Sequence, residues 1–160
     1  MTEASGLAGL DPTVRRRIET LREEGRDFFH AFDEQVRQER WHSFVAADYD
    51  AVCEVLYSLR RPKLRFLEWG SASGVITIMA DLLGFDACGI EIDASLVQAA
   101  RQLAERYDSG ARFATGSFLP MGWEWAPPDG DGRTATIGQG PSGYLELGQA
   151  LEDFDVVYGY

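Results

Sequence analysis

Two acids and a glycine-spaced turn are the residues of this 160-residue chain best placed to do chemistry. Glu68-Trp69-Gly70-Ser71-Ala72-Ser73-Gly74 follows an apolar run, Leu64 to Leu67, and precedes a helical pattern. Gly89-Ile90-Glu91-Ile92-Asp93 closes a second apolar run. The order is strand, glycine turn, helix, strand, acid, which is the front half of a nucleoside-cofactor site. Small residues at 70 to 74 let backbone approach a ligand closely. An acid at the end of the second strand, Glu91, can accept from both hydroxyls of a ribose. Asp93, just before the next helical run, is the expected helix N-cap.

Three fingerprints compete for the turn. A phosphate-binding loop needs a Lys directly after its last glycine, and Val75 stands there instead. A dinucleotide fingerprint starting at Gly70 needs glycines at 72 and 75, where the chain has Ala72 and Val75. The third pattern is an acid, one residue, then glycines at alternate positions; Glu68, Gly70 and Gly74 fit it, with Ala72 in the middle place. Charge favours this pattern with S-adenosylmethionine, because a carboxylate at Glu68 repels a pyrophosphate and accepts from an ammonium. Glu91 by itself does not discriminate among ribose-containing cofactors. An NAD(P)-binding oxidoreductase-like domain remains one alternative, and a non-catalytic interaction module with the same fold is another.

These two segments resemble the first two motifs of class I S-adenosylmethionine-dependent methyltransferases. The resemblance spans roughly residues 64–160. It implies a Rossmann-like parallel sheet in the order 3-2-1-4, with the methionine moiety at Glu68, Gly70, Ser71, Ala72 and Gly74. It also implies the ribose at Glu91, with Ile92 beside it. Ala72 departs from the family's middle glycine. After the third strand, Ser117 and Phe118 stand where the family often has an acid for the adenine amine; Ser117 offers a hydrogen bond and Phe118 a ring face. The segment Trp41-His42-Ser43-Phe44-Val45 with Asp48-Tyr49 resembles a part that closes over the cofactor, which makes Phe44 and Tyr49 candidates. The competing reading is that both simply pack the helical layer. Tyr158 and Tyr160 fall where acceptor-facing groups often lie, and Tyr158 is also a candidate for the cofactor side. No general base is assigned.

The elements that must position these residues follow from periodicity. Asp11-Pro12 starts a long helix, with Val14, Ile18, Leu21, Phe28, Phe32 and Val36 as one stripe and Gly25 at its missing place. Residues 48–59 form a second helix with Val52, Val55 and Leu56 inward. Strands are expected at 64–69, 86–91, 112–115 and 155–158. Helices are expected at 74–84 and 95–107, with a helical turn or two over 145–151. Four prolines and many glycines crowd residues 116–143, where Trp123 and Trp125 either line an acceptor pocket or anchor the loop. The fold class is therefore α/β. Residues 1–60 form an N-terminal helical extension or lid, and residues 61–160 a Rossmann-like cofactor-binding domain. Only four of the family's seven strands are expected. The chain is therefore expected to be a fragment, a truncated product, or a subunit that a second copy or another chain completes, with no turnover expected from it alone.

Composition sets the outer bounds. The formal net charge of -11 argues against a grip on nucleic-acid phosphates. Arg15-Arg16-Arg17 lies among Glu19, Glu23 and Glu24 and reads as a solvated helix face. His30 falls off the apolar stripe and reads as a surface residue, while His42 lies nearer the lid. Cys53 and Cys88 suggest neither a disulfide framework nor a metal site. The apolar runs are too short to span a bilayer, and the start lacks a signal-peptide pattern, so a cytoplasmic protein is expected.

Overall fold

The computed structural model describes residues 7, 9–36, 45–119 and 140–159. Trp41, His42, Phe44, Trp123, Trp125, Tyr160 and the side chain of Val36 lie outside the described residues. The elements run α1 (Pro12–Val36), α2 (Tyr49–Leu59), β1 (Arg65–Trp69), α3 (Val75–Leu82), β2 (Asp86–Glu91), α4 (Ala94–Arg106), β3 (Arg112–Thr115), α5 (Gly143–Leu147), a single 3-10 turn (Leu151–Asp153) and β4 (Val156–Gly159).

Four strands form one parallel sheet in the order β3-β2-β1-β4. This is a Rossmann-like α/β architecture. Strand alternation splits the sheet's side chains between two faces. Phe66, Ala87, Phe113, Val156 and Tyr158 face the core shared with α1 to α4. Leu67, Trp69, Cys88, Ile90 and Ala114 face α5, where Tyr144, Leu147, Leu151 and Phe154 cover them.

α1 begins at its expected cap. The Asp11 carboxylate accepts from the backbone N–H of Thr13 at 2.8 Å and of Val14 at 3.3 Å. These two bonds hold its pKa below the usual value. Ile18 and Leu21 of the stripe are fully buried. The gap in the stripe at Gly25 has a packing reason: an added Cβ there would stand 2.7 Å from Val75 Cγ2 and 3.1 Å from Tyr49 Cε2. α1 thus makes its close approach to the first residues of α3 and α2 at Gly25. On the polar side, Arg22 and Arg26 both pair with Asp50, at 2.5 and 2.8 Å.

In α2, Asp48 accepts from the N–H groups of Asp50 and Ala51, both at 3.1 Å. One inward assignment is corrected: Val55 is 56% exposed, and Tyr49, Cys53 and Leu56 are the buried residues. Their spacing of four and three defines the face turned to α1 and α3, and Val55 lies off it. α3 is buried on every side from Val75 to Ala80, because the sheet lies under it and α1 and α2 lie over it. Asp93 caps α4 as expected, accepting from Ser95 N at 2.8 Å. The helix expected over 145–151 instead spans Gly143–Leu147, and Gly148 ends it at φ +67°. A left-handed glycine is a common helix stop. Among the described residues no helix is long and apolar enough to cross a membrane.

Candidate functional site

The turn between β1 and α3 explains the alternate small residues. Gly70, Ala72 and Gly74 all have positive φ, at +68°, +45° and +80°. Left-handed backbone is open to glycine and costs other L-residues roughly 1–2 kcal/mol. Ala72 is therefore a strained residue in a turn whose pattern is set by backbone conformation. Gly74 has a second constraint: an added Cβ would meet Phe113 Cζ at 2.6 Å and Ala100 Cβ at 2.8 Å. Gly70 has nothing within 4 Å of that position, so its surroundings are open.

Most of the turn's amides are already committed. Gly70 and Ser71 both donate to the Ile90 carbonyl, at 2.9 and 3.0 Å. Ala72 donates to Glu91 Oε2 at 2.9 Å, and Gly74 donates to the Ser71 carbonyl at 2.7 Å. A phosphate cradle needs such N–H groups turned toward the ligand. Here three of them fasten the turn to the end of β2, and the Gly74 amide closes the turn on itself.

Glu91 is the fastening point. It is 8% exposed; Oε2 takes the Ala72 amide and Oε1 takes the Asp93 amide at 3.0 Å. Each carboxylate oxygen has two acceptor sites, so both retain capacity for a further donor.

Glu68 is 4% exposed and bonded on one side only. Thr77 donates to its Oε2 twice, from the backbone N–H at 3.0 Å and from Oγ1 at 2.5 Å. Gly74, the N-cap of α3, has no side chain to satisfy that amide, so Glu68 serves as a cap supplied by the preceding strand. Among the described residues, no Lys or Arg pairs with Glu68. Burial pushes its pKa up to about 8, opposed by the Thr77 hydroxyl and then its amide, with the Glu91 charge adding to the rise. Tyr49 lies beside it; burial and then the Glu68 charge push this phenol up to about 12, with Arg26 acting in the opposite sense and Tyr158 in the same. The structure thus groups Glu68, Tyr49 and Tyr158 at one end of the sheet.

Two further residues complete this side. Ser71 is 3% exposed, and its Oγ has no hydrogen-bond partner among the described residues. It lies over Gly89, where an added Cβ would meet Ser71 Oγ at 2.7 Å and Thr77 Oγ1 at 2.9 Å. Gly89 is required by close approach, since its φ is ordinary.

The remaining candidates lie elsewhere. Ile92 is half-buried beside Gly140. Ser117 is buried; its Oγ accepts from Leu119 N at 3.1 Å, and its backbone pairs with the segment at 141–143. Phe118 stacks on Trp69, with ring centroids 5.2 Å apart and planes 11° apart. Trp69 in turn donates from Nε1 to Tyr144 Oη at 2.9 Å. Phe118 is thus engaged with a neighbouring indole on the α5 face, whereas Glu68 faces α3.

Thr77 was not singled out from the sequence. Its signal was one polar residue in the apolar run Val75-Ile76-Thr77-Ile78-Met79, with a buried acid upstream to receive it.

No family model matches the chain, and no curated protein matches it. Solved structures similar to it include methyltransferases. A tRNA (uracil-54, C5)-methyltransferase from Pyrococcus abyssi, in complex with S-adenosyl-L-homocysteine, aligns at 19% identity and a TM-score of 0.41, covering 54% of this chain and 24% of that one. A methyltransferase from Thiobacillus denitrificans, also in complex with S-adenosyl-L-homocysteine, aligns at 21% identity and 0.38, covering 57% and 36%. A TehB-like methyltransferase from Corynebacterium glutamicum aligns at 14% identity and 0.40, covering 62% and 50%. The chain thus spans from 24% to 50% of the length of these three proteins.

Proposed function

We propose that this chain binds S-adenosylmethionine at the ends of β1 and β2, as the cofactor domain of a methyltransferase. The observation that carries this reading is the pairing of committed turn amides with two buried carboxylates. A pyrophosphate finds few free donors in this turn, whereas a ligand bearing an ammonium and ribose hydroxyls finds acceptors. Glu68 Oε1 is the acceptor for the ammonium, and Glu91 is the acceptor for the hydroxyls. Ser71 Oγ is an unused donor beside them. Tyr49 and Tyr158 form the wall next to Glu68, and Ile92 lies past Glu91 on the adenosine side. Phe118, with its ring on Trp69, and Ser117 bound that side.

The bound cofactor supplies an electrophilic methyl on a sulfonium, whose sulfur leaves as a neutral thioether. The work left to the protein is first holding and aligning, and a general base is needed only where the acceptor must lose a proton early. The helical segment up to residue 60 places Tyr49 as part of the wall, and the sheet from residue 61 carries the two acids.

Calorimetry with S-adenosylhomocysteine and with NAD tests the reading. Binding of the first and not the second is expected. Tight NAD binding without S-adenosylhomocysteine binding overturns it in favour of a dinucleotide site.

A further inference from the structure

We propose that Thr77 is a positioning residue of this site, holding Oε2 of Glu68 from the first turn of α3 so that Oε1 alone meets the ligand's ammonium. The inference rests on the cofactor reading above and adds a residue and a proton to it.

Geometry carries the argument. Thr77 is fully buried, and both of its donors converge on one oxygen. A carboxylate with one oxygen doubly held has its rotation fixed, so its second oxygen points in one direction. Gly89 makes room for this arrangement, because any side chain there would collide with Thr77 Oγ1 and Ser71 Oγ.

The groups facing Glu68 come from every element around it. They are Tyr49 of α2, with Arg26 of α1 acting on that phenol, Tyr158 of β4, Glu91 of β2 and Thr77 of α3. Arg26 is already paired with Asp50. None of these gives Glu68 a cation, and burial favours its neutral form. An arriving ammonium supplies the missing positive charge. The carboxyl O–H of Glu68 then releases its proton to solvent, and the carboxylate pairs with the ammonium. The Thr77 hydroxyl favours the ionised form, so it eases this step.

The test measures S-adenosylhomocysteine binding by calorimetry from pH 5.5 to 8. It compares the wild type with Thr77→Val and Thr77→Ser, each first checked for a cooperative melt. A second ligand, 5′-methylthioadenosine, has the nucleoside but lacks the ammonium-bearing end. In the wild type, affinity for S-adenosylhomocysteine should rise with pH, approaching about tenfold per unit for one released proton. Thr77→Val should weaken this ligand by about tenfold or more at pH 7.5 and move the pH profile upward. Thr77→Ser should restore both, and 5′-methylthioadenosine should hardly respond to either change. Equal losses in both variants with an unmoved pH profile mean a packing role and overturn the inference; so does no loss in Thr77→Val. A wild type that binds both ligands equally at every pH overturns it while leaving a nucleoside site. A wild type that binds neither overturns the cofactor reading as well.

Discussion

Two glutamates stand at the same end of neighbouring parallel strands, are nearly equally buried, and are used in opposite ways. Glu91 spreads its two oxygens over two backbone amides, one in the glycine turn and one just before α4. It joins three segments of chain. Glu68 gives one oxygen to a single residue, Thr77, and its environment favours the neutral acid. The difference lies in what each can release. Glu91 cannot move without freeing the turn, whereas Glu68 can change protonation with the backbone unmoved. On the function proposed above, one acid fixes the geometry of the site and the other responds to what enters it.

The comparison is broken most severely at Glu91. Glu91→Ala leaves the Ala72 and Asp93 amides without their acceptor. It should lower unfolding free energy by about 2 kcal/mol, the scale of hydrogen bonds to a charged group. Urea denaturation measures this, and a loss under about 0.5 kcal/mol would show that the turn holds without the carboxylate.

Glu68 makes the contrast through pH. Its folded pKa is raised by burial to about 8, above the ordinary carboxylate value of 4.5. The folded chain therefore keeps a proton that the unfolded chain gives up. That stabilisation is complete below the unfolded pKa and is lost as pH rises through about 8. Glu68→Gln imitates the neutral acid. It should flatten the fall in stability between pH 5 and 8.5 while removing the pH dependence of ligand binding. Parallel stability profiles for the two proteins would mean that another group titrates.

The smallest effect sharpens the role of the turn between them. Ala72→Gly relieves a left-handed alanine at the residue that Glu91 holds. Stability should rise by up to about 1 kcal/mol, since relief of strain exceeds the entropy that glycine adds to the unfolded chain. A thermal melt suffices to read it; a lower midpoint would mean that the alanine methyl is packed to advantage.

Much of the frame was legible from local pattern. The strand at Asp86–Glu91 and the strand at Arg112–Thr115 fall at their expected limits, because short apolar runs were bounded by turn residues. The caps at Asp11 and Asp93 lie where acid side chains precede helical periodicity, whereas Asp48, expected as the first residue of the second helix, caps it instead. Gly25 was visible as a gap in a stripe, but its reason, the approach of Val75 and Tyr49, required three helices to be placed together. Val55 misled because an apolar residue near a buried face need not lie on it.

Sequence by itself determined that an acid, a small-residue turn and a second acid would sit at the ends of two successive strands. Those features depend on neighbours in the chain and on backbone conformation. Only the tertiary structure decided what each acid does. Thr77 reaches Glu68 because α3 folds back over β1, and Ala72 reaches Glu91 because β1 and β2 pair in register. Hydrogen-bond partners and burial are set by such long-range packing, so two identical side chains acquired different work.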